Sequence, residues 1–76
     1  MRPELKAFSY NLRRKLCEAN MTQGYLAKQT GMHRNMIYRY LYGVSEPGLI
    51  AITRLARGLN CAPGELLEGT DDETRG

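Results

Sequence analysis

The apolar residues of this chain recur at helical spacing almost from its start. Leu5, Phe8, Leu12, Leu16 and Ala19 follow one another at intervals of three or four and mark one buried stripe. Pro3 suits the first turn of that helix, where its missing N–H leaves nothing unpaired. Asn20, which tolerates left-handed backbone, ends it. Thr22 is a good N-cap for a second helix that runs to about Gln29. Gly31 falls in a turn that favours a positive φ and is expected to crowd a side chain. His33 to Tyr42 form a third helix, closed by Gly43. Pro47 and Gly48 separate it from a fourth, in which Leu49, Ile52, Leu55, Ala56 and Leu59 share a face and Asn60 is the terminator. Pro63 opens a short fifth helix bearing Leu66 and Leu67. No segment has a credible strand pattern. The expected fold is all-α, a compact set of five helices over residues 1–68, followed by a polar, flexible tail over 69–76.

Residues 22–43 are the most informative stretch. Leu26, Ala27, Met32, Ile37 and Tyr40 are its inward positions, with Ile37 and Tyr40 one turn apart to plug the third helix into the core. Ala27 and Gly31 are expected to be small because the second and third helices cross closely there. His33, Arg34, Asn35, Tyr38 and Arg39 are left off the apolar face. A buried elbow with an exposed row of base-reading side chains, here His33, Arg34, Asn35, Tyr38 and Arg39, is what a helix-turn-helix reader of double-stranded DNA needs. Arg34 opens its helix, where the macrodipole disfavours a cation by well under ~1 kcal/mol, so its position suggests a ligand-facing role. Arg34 and Arg39 suit the O6 and N7 edge of guanine, and Asn35 suits adenine N6 and N7. Tyr38 suits a base or a phosphate, and His33 either caps the helix or touches the DNA backbone. Met36 is expected to be partly buried.

Size and composition narrow the alternatives. Seventy-six residues make one small domain with a thin core. No apolar run approaches a membrane span, and the N-terminus has no apolar signal core, so a cytoplasmic protein without a membrane partner is expected. Cys17 and Cys61, far apart in sequence, are expected to be buried reduced thiols. Together with the single His33 they fall short of the roughly four ligands of a zinc site, so no metal or cofactor is expected. Activated nucleophile, paired carboxylates and phosphate loop are all missing, which argues against an enzyme. Charge is uneven: residues 1–43 sum to +6 and residues 44–76 to −3. The basic half coincides with the helix-turn-helix segment, which strengthens the case for a polyanionic partner.

An ordered set of positions carries a family resemblance: Thr22-Gln23, Leu26-Ala27, Gly31, Ile37, Gly43, Pro47, Leu55-Ala56 through Leu59, and Glu65-Leu66-Leu67. From about Leu12 to Leu67 the chain resembles the lambda-repressor-like Cro/Xre family of helix-turn-helix proteins. The resemblance implies a prokaryotic or phage transcription regulator, a repressor at an operator, acting as a homodimer on half-sites about one helical turn apart. It implies phosphate contacts from Thr22 and Gln23 at the start of the second helix, and from Tyr42, Gly43 and Ser45 in the loop after the third. Arg13 and Lys28 are further phosphate candidates. The chain departs from the family pattern in three places. Leu16 and Leu41 replace an arginine–glutamate pair common in relatives, a swap that need not cost stability. Glu46 stands in a loop that is often basic and would repel phosphate, and Tyr42 replaces an asparagine. Val44, Leu49, Ile50 and Cys61-Ala62-Pro63 are expected to form a small self-complementary patch for the second copy. The alternative is an antitoxin-like module that grips a partner protein and autoregulates its operon.

Overall fold

The structure is a computed structural model that describes residues 2–69. The expected tail, Gly69 apart, lies outside the described residues, as does Met1. Five helices follow in order: α1 (Pro3–Glu18), α2 (Gln23–Thr30), α3 (Arg34–Leu41), α4 (Leu49–Gly58) and α5 (Pro63–Leu66). No strand occurs among the described residues, and the architecture is the all-α one that the periodicity predicts.

Three helices end by the same device. Asn20 (φ 55), Gly43 (φ 69) and Asn60 (φ 56) each take the left-handed conformation one residue past the cap. The next amide then folds back: Met21 N–H to Leu16 C=O at 3.0 Å, Val44 to Arg39 at 2.8 Å, Cys61 to Ala56 at 2.9 Å. This 6→1 closure satisfies carbonyls that the helix leaves orphaned. Starts are sequence-encoded too. Pro3 occupies the first turn of α1, and Thr22 Oγ1 accepts from the Tyr25 amide at 3.1 Å.

α2 packs on α3 and α4, α4 on α5, and α1 on α3 and α5. The core they share contains Phe8, Leu12, Leu16, Leu26, Ile37, Tyr40, Leu41, Leu55, Ala56, Leu59 and Leu66. Leu12, Leu26, Ile37, Leu55 and Leu66 are fully buried, each contributing about 1.5–3 kcal/mol over an exposed position. Phe8 meets Tyr40 edge-on, with ring centroids 6.4 Å apart. Leu16 and Leu41 both lie in this cluster, as an apolar replacement for an ion pair requires.

Several expectations fail, for local reasons. Ala19 is exposed because it caps α1 rather than continuing its stripe. Leu49 is 81% exposed: as the first residue of α4 it stands beyond the elements that cover Leu55 and Leu59. Cys17 is exposed, since it follows the buried Leu16 onto the outer side of α1. Cys61 is half-buried, and burial raises its thiol pKa; both thiols are free. Gly31 has the expected positive φ of 71°, yet an added Cβ would meet nothing within 4 Å. Its requirement is conformational, not steric. The close approach lies at Gly58, where a Cβ would fall 2.7 Å from Thr30 Cγ2 and 3.2 Å from Leu26 Cδ1. There α4 meets the end of α2.

Candidate nucleic-acid interface

The elbow between α2 and α3 is held by one residue that periodicity does not flag. Thr30 Oγ1 donates to the carbonyl of Leu26 (2.8 Å), also approaches that of Ala27 (3.2 Å), and accepts from the Met32 amide (3.2 Å). Gly31 N–H closes onto Ala27 C=O at 2.9 Å. Polar groups of the turn are thus satisfied internally, and α3 leaves it in a defined direction. The only sequence signal for Thr30 is a hydroxyl just before the terminating glycine.

α3 presents the predicted row. At 3.6 residues per turn, Arg34, Tyr38, Tyr42, Asn35 and Arg39 fall within an arc of about 140°, with Ile37 and Tyr40 directed into the core. Arg34, Asn35, Tyr38 and Tyr42 are exposed, and Met36 is half-buried. The Tyr38 and Tyr42 rings lie 4.8 Å apart at 46°, a paired aromatic ridge one turn long. His33 caps α3: its Nδ1 accepts from the Asn35 amide at 3.1 Å. That nitrogen therefore carries a lone pair, and Nε2 holds the ring hydrogen.

The residues assigned to phosphate lie at the two ends of this row. Thr22 and Gln23 begin α2, with Thr22 exposed and Gln23 half-buried. Gly43 and Ser45 follow α3, folded back by Val44 and Ser45 amides that both donate to Arg39 C=O (2.8 and 3.4 Å). Arg39 Nε–H donates to Ser45 Oγ at 2.8 Å. A side chain assigned to bases and one assigned to phosphate are therefore tied to each other. Arg39 is half-buried and leans toward the loop, while Arg34 makes no hydrogen bond or ion pair among the described residues. Arg13 belongs elsewhere: its Nη1 donates to Leu41 C=O at 2.6 Å and closes the C-terminus of α3. Twenty-eight positions separate the two, so no local pattern reveals the contact. Lys28 is exposed.

Electrostatics divide the surface more sharply than the sequence halves do. Glu46, Glu65 and Glu68, from the acidic half, fold back onto cations of the basic half. Glu46 pairs with Arg2, so the carboxylate in the loop is met by a local cation. Lys15 Nζ lies 2.6 Å from Glu65 Oε1, and Arg14 lies 3.7 Å from Glu18 and 3.6 Å from Glu68. The Lys15 hydrogen bond, helped by the Ala62 amide, holds the Glu65 carboxyl below its usual range, and Glu65 raises Lys15 in turn. Residues 22–43 contain Lys28, Arg34 and Arg39 and no carboxylate at all. None of those three cations is in an ion pair among the described residues.

The patch expected for a second copy divides in two. Val44, Leu49 and Ile50 are exposed (55, 81 and 71%) at the N-terminal end of α4, whereas Cys61-Ala62-Pro63 follow its C-terminus, about 15 Å of helix away. Among the described residues no helix is long and apolar enough to cross a membrane, and no group of three or more His, Cys, Asp or Glu is placed to hold a metal ion.

The helix-turn-helix family model matches residues 12–66. The crystal structure of the restriction-modification controller protein C.AhdI from Aeromonas hydrophila superposes with a TM-score of 0.82 at 28% identity, over 86% of this chain and 98% of that one. No curated protein sequence is significantly similar.

Proposed function

This chain belongs to the Cro/Xre-like helix-turn-helix family and is a DNA-binding transcriptional regulator, and we propose that it is a repressor that occupies an operator and keeps polymerase off. Arg34, Asn35, Tyr38 and Arg39 read bases in the major groove; His33 presents Nε2–H beside them. Thr22, Gln23, Tyr42, Gly43 and Ser45 hold the flanking phosphates and set the register. The observation that carries this reading is the open face of α3, which joins two arginines outside any ion pair among the described residues to an amide and a phenol in a segment free of carboxylates. Occupancy of a site overlapping a promoter is enough for repression and needs only that face. No step of this role calls for catalysis, a cofactor or a metal.

Two copies bind together, each on one half-site. Val44, Leu49 and Ile50 are the surface for the second copy. Three side chains bury far less than the ~1,200 Å² of a stable interface, so the dimer forms on DNA rather than free. The likeness to a restriction-modification controller supports a regulator's role, with the sign of regulation set by where the operator lies relative to the promoter. Selection from a random duplex library tests the whole reading. An enriched palindrome bound by two copies in light scattering is expected. One copy per duplex overturns the dimer, and no enrichment overturns sequence-specific binding. Capture of a partner protein on Val44, Leu49 and Ile50 instead would favour the antitoxin-like alternative.

A further inference from the structure

Gly24 has no conformational reason to be glycine. It is the second residue of α2, and among the described residues the glycines with positive φ are Gly31, Gly43 and Gly69. Glycine weakens a helix relative to alanine, and what a larger side chain at this position would meet is the informative point. The three atoms nearest to a Cβ built at Gly24 all belong to the Arg34 guanidinium: Cζ at 3.6 Å, Nη1 at 3.8 Å and Nε at 3.9 Å. For a point directly above Cζ, C–N bonds of about 1.33 Å place the nitrogens at about 3.8 Å. The guanidinium therefore lies face-on to the place a Cβ would take at Gly24, with its N–H edge in the perpendicular plane. That edge makes no hydrogen bond or ion pair among the described residues.

We propose that Gly24 is a positioning residue for specificity, the seat that fixes the face of Arg34 on α2 and leaves its edge free for a guanine. The inference rests on the reading above that Arg34 contacts a base. An arginine on a flexible stem must be ordered when it binds, and one already packed on a flat seat loses less freedom per bond formed. The geometry also limits what position 24 accepts. A methyl at 3.6 Å is in ordinary contact, so alanine leaves the seat intact. A β-branched side chain carries two heavy atoms on Cβ with one strongly preferred helical rotamer, and it takes the space.

The test compares Gly24→Ala and Gly24→Ile, each with Arg34 intact and in an Arg34→Ala background, on the tightest duplex recovered from a random library. Gly24→Ala should keep wild-type affinity and melt no lower. Gly24→Ile should also fold, yet lose roughly three- to tenfold in affinity and relax preference at the base read by Arg34. In the Arg34→Ala background Gly24→Ile should change nothing further. An equal loss in both backgrounds would mean that the isoleucine obstructs DNA directly, and would overturn the proposal. A second readout needs no DNA: 15N relaxation of the Arg34 Nε–Hε group. That group should be ordered in the wild type and in Gly24→Ala, and mobile in Gly24→Ile. The same mobility in all three would also overturn the seat. If no duplex is enriched, the DNA reading fails, and the relaxation data still decide whether Gly24 holds Arg34.

Discussion

α1 and the α2–α3 elbow are both rich in cations, and they use them in opposite ways. On α1 and its cap, Arg2 meets Glu46, Arg14 meets Glu18 and Glu68, Lys15 meets Glu65, and Arg13 meets the Leu41 carbonyl. These are structural cations, tying α1 to the α3–α4 loop, to α5 and to the end of α3. On the elbow, Lys28 and Arg34 have no partner among the described residues, and Arg39 spends one donor on a neighbouring hydroxyl. A polyanion finds free donors on the elbow and mostly occupied ones on α1. Counting charges along the chain cannot show this, because carboxylates that neutralise α1 come from positions 50 or more residues away, as Glu65 does for Lys15. What marks the proposed binding face is the absence of carboxylates within reach, not the density of lysine and arginine.

The division can be broken most forcefully at the joint that supports the elbow. Gly58→Val should cost about 3 kcal/mol by overpacking, because Thr30 cannot swing its methyl away while its hydroxyl is bonded to the Leu26 carbonyl. Thermal melts check this, and an unchanged Tm would mean that α2 and α4 slide apart freely. Next come the free cations. Arg34→Ala and Arg39→Ala should each weaken the selected operator by about 1–3 kcal/mol and relax base preference, whereas Gln23→Ala should weaken all sequences alike. Lys15→Ala, on the neutralised side, should leave DNA affinity unchanged. Equal losses for Lys15→Ala and Arg34→Ala would erase the distinction between the two regions.

Smaller effects sharpen the contrast. Glu65 has a depressed carboxyl pKa, so its contribution to stability is present above the ordinary carboxylate range and is lost as pH falls through the depressed value. Lys15 is raised, so its share is present below the ordinary lysine range and is lost only as pH rises through the raised value. Glu65→Gln should lower the Tm at neutral pH and flatten its fall in acid, with no effect on DNA binding. A Tm–pH profile parallel to the wild type would contradict the pairing. Least of all, Glu46→Gln removes a carboxylate from the loop proposed to hold phosphate and releases Arg2. It should tighten binding by less than about 1 kcal/mol at low salt, an effect that titration at two ionic strengths would detect.

The parts of this fold that are legible in the sequence are those set by neighbours along the chain. Asn20, Gly43 and Asn60 close their helices as expected, Thr22 caps α2, and Leu12, Leu26, Ile37 and Leu55 point inward. The parts that are not legible depend on what lies across the gap. Periodicity gives no hint that Gly58 faces Thr30, or that Leu49 begins α4 too early to be covered. Gly31 illustrates a right residue with a wrong reason: its turn needs left-handed backbone, but the space around it is open. In the candidate site, the identity of the α3 row follows from helical spacing. The tether between Arg39 and Ser45 and the seat of Arg34 on Gly24 do not, because both depend on how a long side chain lies in three dimensions.

The most direct test of the central claim is an amide NMR titration of the chain with a generic duplex at low and moderate salt. Salt-sensitive shifts concentrated at Gln23, at 33–39 and at Gly43 to Ser45, with Arg14 and Lys15 silent, are the predicted result. Shifts that are absent, or that spread along α1 through Lys6, Arg14 and Lys15, would contradict it.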